Sequence, residues 1–316
     1  MDTLHIPQLG RSVSRLGMGS MIFAPERKEL VFDLLDAFRG LGGNLIDTAE
    51  VYGGEGRSEA AIAMYLAERD CRDEIVVLDK GCANVADVTP ANIRKAIATN
   101  LQRLGIETLD IWAAHRDNPD LPVAHIVDTL NRERAEGRIR AFGGSNWSRQ
   151  RIDEANQYAR EHGLAGMCLS SPNLCLAVPN EPFWPDCTHA TDADIAWSAR
   201  TGIPLFAWSS QGRGFFLPGV SPGKRENADL ARVYYNEANF ARRERACQLA
   251  REKGVEPIHI ALAWVLDLPC PTVALVGPAT VAEVESCARA AEIRLSPEEV
   301  RWLRTGRRDG PWPEEG

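Results

Sequence analysis

Gly42-Gly43-Asn44-Leu45-Ile46-Asp47-Thr48-Ala49-Glu50-Val51-Tyr52-Gly53-Gly54 reads as a short buried strand that ends in a carboxylate and runs into a glycine-rich loop carrying a tyrosine. Leu45 and Ile46 are apolar strand formers, glycines punctuate both ends, and Ser58 is placed to cap a following helix. A buried Asp beside a loop Tyr has little structural use. It gains a chemical one if a lysine and a histidine arrive from later strands, and the chain supplies both.

Upstream, Leu4 to Val13 alternates like a hairpin with Gly10 in its turn, suited to plugging one end of a larger sheet structure. Leu16 to Gly19 is a first strand, and Lys28 to Leu41 is helical, with Leu30, Leu34, Leu35 and Phe38 on one face. Downstream the alternation repeats. Strands are expected at Asn44–Thr48, Glu74–Leu78, Thr108–Ala113, Ile139–Gly143, Met167–Leu169, Pro204–Trp208 and Thr272–Val276. Helices are expected at Ser58–Glu68, from Thr89-Pro90 to Leu104, and at Val123–Glu136, Arg149–His162 and Asp192–Arg200. Residues 211–232 look like a long Gly- and Pro-rich loop. Helices then follow at about Asn236–Lys253, Pro257–Leu266 and Val281–Ala290, and Ser296-Pro297-Glu298-Glu299 caps a last one.

Strands that alternate with helices, each a short buried run, suit a parallel sheet. The expected architecture is an α/β eight-stranded parallel (β/α)8 barrel with an N-terminal β-hairpin plug and extra helices near the C-terminus. A doubly wound open sheet is the alternative, weakened because no Gly-x-Gly-x-x-Gly follows the first strand. No composition break divides residues 1–316, so one domain is expected.

Of the 316 residues, 44% are apolar and 25% charged, ample for a core of that size. The net charge of −8 argues against nucleic acid or an anionic membrane as a partner, since each calls for a basic face. No secretory signal is visible over Met1 to Gly19, and apolar runs such as Ile260 to Leu266 fall short of the roughly 20 residues a membrane span needs. The eight cysteines lack close paired spacing for zinc and are expected as reduced thiols, with the cytoplasm as the expected address and no metal site.

At the carboxyl mouth of such a barrel, strand ends converge. Asp47 and Tyr52, Lys80 and His115 follow three successive strands. A free phenol titrates near ~10. Lys80 close by would lower that value, and Asp47 would hold the ammonium charged. Tyr52 is then a proton donor to a carbonyl or an acceptor from an alcohol, and His115 hydrogen-bonds the same oxygen. Singly, each has an ordinary structural use: a loop cap, a solvated lysine, a satisfied histidine, a packed ring. Together at successive strand ends, they point to catalysis.

Asp47 to Gly53, Gly56-Arg57-Ser58-Glu59, Lys80, Trp112-Ala113-Ala114-His115, Gly143-Gly144-Ser145-Asn146, Ala207 to Gly214 and Val276-Gly277 resemble the signature of the aldo-keto reductase family, from about Leu16 to Leu303. The resemblance implies a nicotinamide cofactor, NAD(P)(H), across the barrel mouth and hydride exchange with a substrate carbonyl or alcohol. It implies that Ser145 and Asn146 hold the carboxamide, with Ser171 where the family usually has glutamine. Trp208 falls where an aromatic ring stacks on nicotinamide, and Ser209, Gln211, Gly212 and Gly214 fall on the loop near the pyrophosphate. Arg213 there either adds charge or is a solvated loop arginine.

Gly277 and Thr280 fall near the adenosine end. The family commonly places basic residues there for a ribose 2′-phosphate; residues 277–287 contain none, but include Glu283 and Glu285. The expectation leans to NAD, against the family's usual habit. Phe23, Trp147 and Arg116 are expected to touch substrate. Aromatics with polar edges suit a small aldehyde, a sugar or a polyol, and Ser170 to Ala177 resembles a bacterial branch associated with sugar metabolism. Two other classes remain open on this fold: a nicotinamide-sensing regulatory subunit without turnover, and a lyase using Lys80 as a Schiff-base nucleophile. Turnover separates the first, and Asp47 beside Lys80 disfavours the neutral amine that the second needs.

Overall fold

A computed structural model describes residues 1–310 and 312. The hairpin forms as expected, with β1 (Thr3–Ile6) antiparallel to β2 (Arg11–Ser14) and Gly10 at φ +64° in the turn. Eight further strands close a barrel: β3 (Leu16–Gly19), β4 (Leu45–Asp47), β5 (Val76–Gly81), β6 (Leu109–Ala114), β7 (Ile139–Ser145), β8 (Ser170–Ser171), β9 (Leu205–Ala207) and β10 (Thr272–Val276). Every neighbouring pair is parallel, and β10 returns to pair with β3.

Between them run α1 (Lys28–Gly40), α2 (Arg57–Arg69), α3 (Pro90–Leu104), α4 (Val123–Ala135), α5 (Arg149–Glu161) and α6 (Asp192–Thr201). After β9 come α7 (Ala228–Tyr234), α8 (Glu237–Lys253) and α9 (Pro257–Leu266); α10 (Val281–Ala290) and α11 (Pro297–Thr305) follow β10. Among the described residues, no helix is long and apolar enough to cross a membrane.

Side chains alternate along a strand, so each barrel strand has an inward and an outward set. Leu45, Val76, Leu78, Ile111, Ala113, Ala141, Phe206, Val273 and Leu275 fill the interior together with Ile6, Leu9 and Val13 of the hairpin. The hairpin therefore seals the amino-terminal end of the barrel. Ile46, Val77, Trp112, Phe142 and Ala274 belong to the outer layer beneath the helices.

Three local expectations are corrected. The sixth barrel strand lies at Ser170–Ser171 rather than over residues 167–169. Cys168 N–H donates to Phe142 O (2.8 Å), but a ladder with β7 closes only at Gly144–Ser170 and Ser145–Ser171. Ser58 does not cap α2: Gly56 stands at the cap in a left-handed conformation, and the Ser58 hydroxyl is buried against Ser20 Oγ (2.6 Å) and Thr48 Oγ1 (2.9 Å). The loop read over 211–232 holds the start of α7, which Asn227 caps by accepting from Leu230 N–H at 2.9 Å. Ser296 makes the expected capping box with Glu299.

Candidate active site

The alternation that fills the interior also aims the chemistry. Two residues beyond Leu45, Leu78, Ala113 and Phe206 stand Asp47, Lys80, His115 and Trp208, so the same parity turns all four toward the barrel axis at the carboxyl mouth. Asp47 is level with Leu78, and Lys80 with Ala113, so each charged or polar group stands two residues further along its strand than the last.

Lys80 is buried with its Nζ donating to Asp47 Oδ1 at 2.5 Å and to Thr48 O at 2.6 Å. Burial pulls the ammonium's pKa down, but Asp47 and Tyr52 raise it further, and it stands above the ordinary lysine value. Burial pushes the Asp47 carboxyl up against the pull of Lys80. With the partners 2.5 Å apart, the lysine direction governs and the pair stays ionised.

Tyr52 lies with its ring centroid 5.0 Å from Lys80 Nζ and 6.0 Å from the His115 ring, edge to face. Its loop is pinned on both sides. Tyr52 N–H donates to Ala49 O, Ser58 N–H to Tyr52 O, Glu50 N–H to Lys80 O and Gly53 N–H to Met21 O. Below them, the Ser20 hydroxyl donates to Asp47 O at 2.8 Å and accepts from Ser58, so one buried hydroxyl chain ties β3, β4 and α2 beneath the tyrosine.

The expectation that Lys80 leaves the phenol with a lowered pKa is corrected. Burial outweighs it and pushes Tyr52 up to about 12, although Lys80 pulls the other way. The phenol keeps its proton at neutral pH, as a donor requires. His115 is pulled well below the ordinary imidazole value by burial, with Lys80 and Arg116 adding to the effect. It is neutral, and its buried Nδ1 has no partner among the described residues.

The remaining expected residues divide. Ser145 and Asn146 are buried at the end of β7, with Ser145 Oγ donating to Ser171 O (3.1 Å) and Asn146 Nδ2 to His115 O (3.1 Å). Asn146 adopts φ +61°, a left-handed turn that its short polar side chain tolerates. Ser171 is fully buried and its hydroxyl donates to Phe206 O at 2.9 Å, so its side chain is spent inside the barrel wall.

Trp208 is half-buried, with a buried indole Nε1 that has no partner among the described residues. Ser209, Gly212, Arg213 and Gly214 all have positive φ, and Gln211 Oε1 accepts from Cys287 Sγ. Gly277 and Thr280 are exposed, but Thr280 is engaged as the cap of α10, accepting from Glu283 N–H. Glu283 folds back so that its Oε2 accepts from Ala279 N–H at 2.6 Å.

Phe23 and Trp147 are both buried, Phe23 completely, and Trp147 donates its indole N–H to Arg116 O at 3.0 Å. The structure thus brings Arg116, but neither of these rings, to the open mouth. Arg116 Nη1 donates to His115 O (2.8 Å), and Nη2 to Pro185 O (3.4 Å). Sequence reasoning missed the grip of Thr48 O on Lys80, since a backbone carbonyl carries no residue signature. Arg213, expected as a pyrophosphate or solvated arginine, instead lies 4.3 Å from the Phe183 ring and 5.1 Å from the Trp184 ring.

Together these features define a parallel barrel with a phenol beside a buried ion pair at its carboxyl mouth. The chain belongs to the Aldo/keto reductase family, whose sequence pattern matches residues 15–305. It is 24% identical over 319 residues to the uncharacterized oxidoreductase YrpG of Bacillus subtilis (strain 168), covering 96% of this chain and 95% of that one. It is 26% identical over 315 residues to norsolorinic acid reductase stcV of Emericella nidulans, covering 93% and 78% respectively. An aldo-keto reductase structure from Klebsiella pneumoniae in complex with NADPH shares the fold, with a TM-score of 0.74, 21% identity and coverage of 100% and 98%.

Proposed function

We propose that this chain is an oxidoreductase that interconverts a small-molecule carbonyl and its alcohol with a nicotinamide cofactor, Tyr52 giving or taking the proton. The observation that carries this reading is the buried ammonium of Lys80, held by Asp47 and Thr48 O, 5.0 Å from the Tyr52 ring. The cofactor, when bound, supplies or accepts the hydride.

The residues at the mouth fit such a group. The Trp208 indole N–H, which has no partner among the described residues, the Ser145–Asn146 pair and the loop at Ser209–Gly214 would hold it. That K. pneumoniae relative carries NADPH in its structure, which supports the same class of cofactor here.

For reduction, Tyr52 donates its proton to the carbonyl oxygen, and the Lys80 charge stabilises the phenolate left behind. His115, neutral, hydrogen-bonds the same oxygen and orients it. Desolvation keeps the phenol protonated until the substrate oxygen gains charge, so the proton moves when the oxygen can hold it. In the oxidative direction, each residue runs its part in reverse, which makes the alcohol's CH–OH group the donor.

Tyr52→Phe is expected to cut turnover at least about 100-fold while cofactor affinity, read by tryptophan fluorescence, stays unchanged. Retained turnover would move the acid elsewhere, and binding without turnover in the parent would mark a sensor.

For the finer choice we favour NAD over NADP. Glu283 already occupies the Ala279 N–H at the start of α10, and a carboxylate there repels a 2′-phosphate. Separate titrations with NADH and NADPH test this, and tighter NADPH binding would overturn it. A sugar for reduction and a polyol for oxidation belong among the substrates to be screened, and the unpaired state of all eight cysteines supports a reducing, cytoplasmic address.

A further inference from the structure

Lys80 points into the barrel, so its neighbour Asp79 points out of it, into the layer beneath the helices. There the Asp79 carboxyl comes within hydrogen-bonding reach of the carboxyl of Glu59, in the first turn of α2. Both residues are completely buried, as is Asn100 of α3 beside them. Two ionised carboxylates in contact away from water repel strongly, so such a pair holds a proton.

Hydrogen bonding decides which residue carries it. Glu59 is served on both oxygens, Oε1 accepting from Asn100 Nδ2 at 2.7 Å and Oε2 from Arg103 Nη1 at 2.9 Å. Asn100 is oriented in turn by Trp112, whose indole N–H donates to Asn100 Oδ1 at 3.0 Å. Asp79 Oδ1 accepts from Lys80 N–H at 2.7 Å, whereas its buried Oδ2 meets no donor among the described residues. An oxygen with nothing to accept and a carboxylate before it is the place for the hydrogen. Burial first, and the Glu59 charge second, push the Asp79 carboxyl well above the usual carboxylate range, against the pull of Lys80. Of the other charged groups around it, Arg103 stands on α3 and Asp47 on the barrel side of Lys80, and Glu50 of the Tyr52 loop accepts from Ala83 N–H at 3.1 Å.

Each carboxyl of the pair is one step from the mouth. Glu59 follows Ser58, whose N–H donates to Tyr52 O, and Arg103 also reaches Glu50 O (3.4 Å). Asp79 precedes Lys80, whose carbonyl accepts from Glu50 N–H at 2.9 Å. An O–H donated from Asp79 to Glu59 ties the strand of the ammonium to the helix and loop of the phenol. It does so without placing a further negative charge beside the ammonium. We infer that Asp79 is a positioning residue that keeps its proton at neutral pH and donates it to Glu59, holding Lys80 and Tyr52 in register. The inference rests on the roles proposed above for those two residues and goes beyond them.

A first test reads the proton without turnover. A carboxyl protonated in the fold but ionised in the unfolded chain, where it titrates near ~4, makes the native state bind the extra proton. The stability this contributes is fully present below the unfolded value and is lost as the pH rises toward the folded one. Urea unfolding between about pH 5 and pH 7 compares the parent with Asp79→Asn, whose amide donates to Glu59 without that proton. The parent's unfolding constant is expected to rise about tenfold per pH unit relative to the variant's. A ratio that stays flat would show Asp79 ionised in the fold and overturn the inference.

A second test asks whether the pair positions the mouth, with 4-nitrobenzaldehyde and NADH as the assay. Asp79→Ala is expected to lower kcat about tenfold at unchanged cofactor affinity, and Asp79→Asn to restore it to within about twofold of the parent. Parent-like kcat in Asp79→Ala would reduce the pair to scaffolding and overturn the positioning role. Glu59→Gln turns an amide N–H toward the donors of Asn100 or Arg103 and is expected to lower kcat as well. If Glu59→Gln were silent and Asp79→Asn damaging, the proton would belong to Glu59 and the assignment would fall. Should Asp79→Ala not fold, the urea ratio and the contrast between these two isosteric variants still decide. A protein that turns over no carbonyl would sink the chemistry proposed for the mouth, while the urea ratio would still place the proton.

Discussion

Four side chains at the mouth have environments set by burial as much as by their neighbours. Lys80 would be an expensive residue to bury alone, and it is tolerated because Asp47 and a backbone carbonyl together accept its hydrogen bonds. His115 has no such partner and stays neutral. Its pKa lies below the unfolded value near ~6.5, so the unfolded chain binds the extra proton first as the pH drops. The stability it contributes is therefore fully present above the unfolded value and is lost as the pH falls toward the folded one. His115→Asn is expected to flatten the loss of stability between about pH 7 and pH 5 in urea titrations, and an unchanged slope would show that other groups carry that dependence. Asp47, Lys80 and His115 are legible in the sequence because strand ends are marked by short apolar runs. The pKa of Tyr52 is not, because desolvation depends on everything folded around the ring. Nor are the closed positions of Phe23 and Trp147, for the same reason.

At the level of elements, the loop that carries Tyr52 is the vulnerable one. Gly53 has φ +68°, and a Cβ there would meet Phe23 O at 2.4 Å and Ser58 N at 3.0 Å, both backbone atoms with little freedom to move. Gly53→Ala is expected to displace the tyrosine, lowering kcat well beyond any change in cofactor affinity, and equal activity would show that the loop has slack. Helices are the elements read best from sequence. Their caps sit in it, as Thr89 before Pro90 and Ser296 three residues before Glu299 show. The sixth barrel strand is expected too early because the apolar stretch Met167–Leu169 looks like the strand, whereas the ladder closes on the two serines beyond it. The clasp of Arg213 on Phe183 and Trp184 leaves no pattern at all, since α6 and β9 intervene between the arginine and its rings.

On the scale of the whole molecule, the barrel is a packed column with the hairpin plug below and the Asp47–Lys80 pair above. Ile6, Leu9 and Val13 of the hairpin share one apolar cluster with residues from β4, β5, β6, β7, β9 and β10, so the plug is part of the core. Ile6→Ala is expected to cost about 2–5 kcal/mol in urea unfolding, with circular dichroism and tryptophan fluorescence still reporting one transition, as a single domain should. Separate transitions would mean that the hairpin folds apart from the barrel. Closing the sheet also leaves the carboxyl-end connections outside the hydrogen-bonded ladder. The strap from Glu181 to Cys187 is one of these, and it is fastened by side chains to the loops around it. Such a strap is modular: its length and rings can be changed without re-laying a single strand, while the ion pair of Asp47 and Lys80 beneath it keeps its place.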